Sequence, residues 1–355
     1  MKTIGRLILS AIFLVLTGLM AAAAMTAPEF VFSFYPAFSR EILAALASAT
    51  AVVPFALWEV LALLAALWLI YTLVRAFTQH RGFFLWLSGV VLAVSIVVFA
   101  FVGLWGLNHF GPDVGQTLGL NVREYSRDEL AAATRYYAAQ AGELSDAVSR
   151  DTQQLAHFSD FDTLAKQAGD GYARLKRTNE LFTGSTVRVK RLLAWPLFSR
   201  FGTTGIFICL TGESSVNPDT YEAWIPFTMC HEIAHRQAVA AEDGANFCAY
   251  LACMANDSAE FQYSGAMAAY VYCHNALYKA DSAAATEIWG QLPDAVRADI
   301  AAANAHYAQY EGKVQDAAQK VNDMYLKAFS EESGVQSYGE VTDLLIAWYL
   351  KKNAE

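Results

Sequence analysis

Positive charge is scarce in this chain. Over 355 residues, 25 lysines and arginines stand against 34 aspartates and glutamates, a formal net charge of −9. Nucleic-acid binding draws its affinity from clustered cations, so this balance argues against that class of partner. Cysteine is sparse as well. Cys209, Cys230, Cys248, Cys253 and Cys273 form no CxxC pair and are too few for a disulfide scaffold. They read as small apolar packing residues, with room for one disulfide if the domain faces an oxidising space. Runs of like charge, low-complexity tails and internal repeats are also missing, which excludes a polyelectrolyte arm and a solenoid.

What the chain has in excess is apolar sequence, 55% of its residues, and most of it lies before residue 108. Residues 7–24, 54–74 and 83–107 each approach the roughly 20 residues a helix needs to cross a hydrocarbon core. Only Glu59 interrupts them, close enough to the start of its segment to reach the interface. The first segment, ending in four alanines, reads as an uncleaved anchor rather than a signal peptide. Lys2 and Arg6 precede it, while Arg75 and Arg81 lie between the second and third segments. The positive-inside rule makes both places cytoplasmic. A loop over residues 25–53, carrying only Arg40, and the whole chain after 107 are then expected outside.

From Ser126 onward, charges recur at helical spacing. Helices are expected near 126–150, 158–178, 226–240, 243–256, 258–280, 293–331 and 339–352. The β-branched and aromatic run 205–211 is the clearest strand, and the alternating run 185–191 could pair with it. The expected architecture is three N-terminal transmembrane α-helices (1–107) followed by a mostly helical α+β domain with a small sheet (108–355).

Within that domain His231, Glu232 and His235 form an HExxH motif. Four-residue spacing puts both imidazoles on one helix face, ready to share a metal, with Glu232 beside them to take a proton from water. Catalytic zinc takes three protein ligands and keeps a fourth position open. Glu242 is the leading third ligand, ahead of Asp243, Glu222 and His274. Asn246, one turn after Glu242, could orient a ligand. Tyr263, Tyr338 and His274 are possible oxyanion stabilisers, although aromatic packing suits both tyrosines better. Glu213 could line the cleft or simply be a solvated loop carboxylate. Cys230 points away from the histidine face and is not expected to bind metal.

The run Glu242-Asp-Gly-Ala-Asn246 resembles the ExxA(D/N) signature that supplies a glutamate ligand in gluzincin-type zinc metallopeptidases. The layout as a whole, with Gly212-Glu213-Ser-Ser-Val-Asn217, the HExxH stretch, Tyr263-Ser264 and Ser337-Tyr338-Gly339, resembles a bacterial polytopic-membrane family of unknown function. The resemblance implies a zincin-like fold, a Zn²⁺ cofactor and a peptidase acting on a peptide or protein near the lipid bilayer. The sequence departs from the gluzincin pattern in a short His235–Glu242 gap, in Arg236, and in having no glycine just after His235. A catalytically silent zinc-binding sensor or scaffold is the alternative. A lipid-buried protease is disfavoured by the density of charge from His231 to Asp243.

Overall fold

The computed structural model describes residues 2–79, 82–328 and 341–354. Three helices, α1 (Lys2–Thr26), α3 (Leu57–Thr78) and α4 (Phe83–Leu104), are long and apolar enough to cross a membrane. Between the first two lies α2 (Tyr35–Thr50). The membrane helices are apolar all round, and most of their side chains face outward, as a lipid solvent demands. α1 runs parallel to α4. Near its start the Arg6 guanidinium donates to Leu85 O (2.8 Å), midway Phe13 meets Phe99 (5.3 Å), and near its end Met20 faces Gly103. α3 and α4 form an antiparallel hairpin. Residues 27–56 and the described residues after 104 therefore lie on one side of such a membrane. Arg81, used to orient the hairpin, lies outside the described residues.

The distal part is mostly helical. Its principal helices are α5 (Arg127–Ser145), α6 (Trp195–Arg200), α7 (Ile225–Arg236), α8 (Glu242–Ala255) and α9 (Ala259–Ala280). They are followed by α10 (Ser282–Gln291), α11 (Asp294–Ala308), α12 (Lys313–Ala328) and α13 (Val341–Ala354). α5 opens with a complete capping box, Ser126 with Glu129. One apolar core, built largely from α5, α7, α8, α9 and α13, holds the domain together. All five cysteines are buried and free, consistent with packing roles.

The sheet has three strands, β1 (Lys190–Arg191), β2 (Gly205–Ile208) and β3 (Glu213–Val216), in the order β1-β3-β2. β3 pairs antiparallel with β2 and parallel with β1. This corrects the expected pairing of 185–191 with 205–211, because β3 lies between them. The carbonyls of Ser185 and Val187 are taken instead by the buried Arg236 guanidinium, which donates to both (3.2 and 2.5 Å). Arg236 thus closes a loop onto the end of α7 rather than facing a ligand.

Three further expectations are corrected. Residues 25–53 are not a loop, since α2 packs Leu43 and Ala47 against Cys209 and Gly212. The expected helix 293–331 is broken at residues 309–312, where Gly312 interrupts the pattern. The span 158–178 forms two short helices, Phe161–Gln167 and Asp170–Leu175.

The membrane helices and the domain meet in a polar seam. Both carboxylate oxygens of Glu213 accept from the first backbone N–H groups of α3, those of Leu57 and Trp58 (each 2.9 Å), where the helix dipole favours an anion. Lys190 pairs with the same carboxylate at 2.5 Å, and both side chains are almost wholly buried. Glu213 is therefore neither a cleft residue nor a solvated one. Glu59, one turn into α3, accepts from Leu193 N and Ala194 N (2.7 and 2.8 Å) and ties the start of α6 to the membrane helix.

Candidate metal centre

Pro226 sits in the first turn of α7, where no backbone donor is lost, and the helix is buried almost throughout. His231 and His235 lie one turn apart, with their Nε2 atoms 3.1 Å from each other. After α7 the chain reverses through Ala238, at φ +67°, a left-handed conformation that here is taken without glycine. The turn carries Val239 O to within 2.9 Å of His235 Nδ1 and starts α8 at Glu242. Glu242 then reaches back, placing Oε2 3.2 Å from His231 Nε2 and Oε1 3.6 Å from His235 Nε2.

Two imidazole nitrogens and a carboxylate thus converge on one point, the one such group among the described residues. Zinc–nitrogen bonds of about 2.0–2.1 Å in a tetrahedron imply ligand–ligand edges of about 3.3 Å, close to the spacings seen here. The far ring nitrogens are oriented as well. His231 Nδ1 donates to Asn246 Oδ1 (2.9 Å) and His235 Nδ1 to Val239 O, which turns both Nε2 atoms towards the point of convergence. Tyr272 donates from its hydroxyl to the same Asn246 oxygen (3.1 Å).

The buried groups shift one another strongly. Burial works against a charged His231, but the adjoining Glu242 carboxylate outweighs it and holds the imidazole at about 9. At His235 burial dominates and pushes the pKa down to about 4. Glu242, although buried, is held down to about 2 by the two histidines. Burial, with Glu242 nearby, raises Glu232 to about 8. The Oε2 of Glu232 is buried and has no hydrogen-bond partner among the described residues. Gly205 on β2 makes room for this carboxylate, since a Cβ there would come within 2.4 Å of Oε1.

These groups open into a cleft of about 960 Å³. Its floor is α7 and one wall is β2, at the edge of the sheet. Trp105 and Phe101 close one end, at the membrane terminus of α4, and α12 lies across the top. The Trp105 indole donates to His235 O (3.0 Å).

Other candidate residues lie elsewhere. The Tyr263 hydroxyl donates to buried Asp299 (2.5 Å) beneath Arg150, an internal brace away from the cleft. His274 is stacked between Tyr270 and Trp289. Glu222 accepts from Phe158 N and faces His157, and Asp243 does not join the three converging donors. Cys230 points towards Ala168 O. Tyr338 lies outside the described residues. Trp105, Tyr272 and the space-making role of Gly205 are not marked by any spacing, because each acts on a partner at least 26 residues away.

A family model described as a protein of unknown function (DUF3810) matches residues 32–346, and the chain belongs to that family. No curated protein and no solved structure matches it.

Proposed function

We propose that this member of the DUF3810 family is a membrane-anchored zinc peptidase with His231, His235 and Glu242 as metal ligands and Glu232 as general base. One observation carries the reading: three donors at tetrahedral spacing, both histidines oriented from behind, and a buried carboxylate without a partner beside them. A zinc ion bound there supplies a Lewis acid that polarises a carbonyl and brings the pKa of water near 7. Glu232 accepts the proton of the attacking water and returns it to the leaving amine. Asn246, held by Tyr272, keeps His231 in the required tautomer. The free edge of β2 can take an extended peptide as an added strand, above Glu232 and across the metal point. With Lys2, Arg6 and Arg75 on the cytoplasmic side, the cleft faces the outside of a bacterial cell membrane and meets polypeptides close to the bilayer.

The alternative, a zinc-binding sensor or scaffold that cleaves nothing, is disfavoured by Glu232. A purely structural site gains nothing from a buried, unpartnered carboxylate, and it would use four protein ligands. The test uses the full chain in lipid nanodiscs, because α2 and α3 contribute to the domain. Zinc content and cleavage of a broad peptide library are measured beside Glu232→Gln. Equal zinc in both, with cleavage only by the unsubstituted protein, is expected. Full zinc with no cleavage by either would leave the sensor, and a protein without zinc would end both readings.

A further inference from the structure

α12 is built inside out. A helix lying against a domain turns its apolar stripe inward. Here Gln315, Gln319 and Asn322 line the cleft, while Val314, Val321 and Met324 point outward at 55%, 62% and 62% exposure. The exposed stripe is bordered on one side by the row Lys313, Lys320 and Lys327, the last also paired with Asp323 (2.7 Å). On its other side is Tyr325, whose ring packs 6.4 Å from Phe101 in the last turn of α4.

The two ends of α12 fix its direction. Its first turns lie beside the loop after α6, where a Cβ at Gly202 would meet Gln315 at 2.8 Å. α6 is tied by Glu59 to the first turn of α3, and Trp58 meets Phe198 at 6.0 Å. The start of α3 and the end of α4 belong to one hairpin and share one membrane face. A helix of 16 residues, about 24 Å long, that runs between those two points lies along the membrane surface rather than away from it. Leu193, Trp195 and Leu197, also exposed, flank the same boundary at α6.

We propose that α12 is an interfacial helix. Its outward stripe of Val314, Val321 and Met324 is seated in the surface of the bilayer, its lysine row lies at the level of the lipid phosphates, and its polar face roofs the cleft. The occupant is the lipid surface because the nearest apolar phase is the one α4 has just left, and lysines flanking an apolar stripe suit a headgroup boundary. This inference does not depend on any activity of the cleft.

The test is a depth measurement on the full chain in vesicles of phosphatidylcholine and phosphatidylglycerol. An environment-sensitive fluorophore is attached at Val321→Cys, Met324→Cys, Asn322→Cys or, as an exposed control, Tyr278→Cys; the native cysteines are buried and free. Val321 and Met324 labels are expected to show blue-shifted emission, quenching by lipid-borne nitroxides and loss of quenching by aqueous iodide. Asn322 and Tyr278 labels should keep their iodide quenching. Iodide quenching at Val321 equal to that at Tyr278 overturns the proposal. Replacing all three lysines by glutamine should make the Val321 label shallower, and an unchanged depth removes the lysines from it. A cooperative thermal unfolding transition like that of the unsubstituted chain reports that each variant is folded.

Discussion

The membrane helices and the paired helices α7 and α8 obey opposite rules. In α3 and α4 most apolar side chains point outward and charged groups are confined to the ends, so the surrounding phase decides nearly every residue. In α7 and α8 the interior holds two imidazoles, three carboxylate or amide groups and a guanidinium, and all but Glu232 are held by a partner outside their own helix. A membrane helix can be read residue by residue. A helix with a polar interior is defined by what comes to meet it.

The contrast is broken most severely at Glu213, where the two regions join. Glu213→Ala leaves Lys190 buried without its anion and uncaps α3. Losing one partner of a buried pair costs about 3–5 kcal/mol, so a clear fall in thermal midpoint is expected in nanodiscs, and an unchanged midpoint would dissolve the seam. A smaller effect is expected at Asn246, which stands between His231 and Tyr272. Asn246→Ala should weaken zinc binding about 10–100-fold while leaving the fold intact, as competition with a chelator would read. An unaltered affinity would mean His231 needs no orienting partner.

Protons sharpen the same comparison. His231 is held at about 9 in the metal-free protein, so at pH 7 it carries a proton that an ion must displace. Affinity should therefore rise with pH, about tenfold per unit, up to about pH 9. Calorimetry in buffers of different ionisation enthalpy should register at least one proton released per ion, and a release of zero would contradict the assignment. The smallest change is expected at Ala238, the left-handed residue in the turn. Ala238→Gly removes a strain of about 1–2 kcal/mol but loosens the unfolded chain by about 0.4–1 kcal/mol. A slight gain in thermal stability with zinc affinity retained is the expected result.

The legibility of the sequence follows the same divide. Three apolar helices, a mainly helical domain and a small sheet were all visible as composition and period. The pairing of the sheet was not. β3 is Glu-Ser-Ser-Val, with no β-branched or aromatic run to announce a strand, and it is central only because partners arrive on both sides. α2 falls where the sequence predicts a loop, because its apolar face is legible only against the surface it covers. His231, His235 and Glu242 could be brought together on paper because a short turn joins their helices. Tyr263 and His274 have suitable chemistry but sit elsewhere, and side-chain type alone does not report location.

β3 also carries a mechanical consequence. Its alternating side chains grip two bodies: Ser214 donates to Glu232 O in α7 (2.7 Å), while Glu213 and Ser215 hold the first turn of α3. The strand is thus a crank between them, with no slack linker in the train. The tilt of α3 answers to the thickness of hydrocarbon it must span, and its first turn is held by the same strand that holds the helix bearing Glu232. The seating of α7 is thus joined through one strand to the seating of α3.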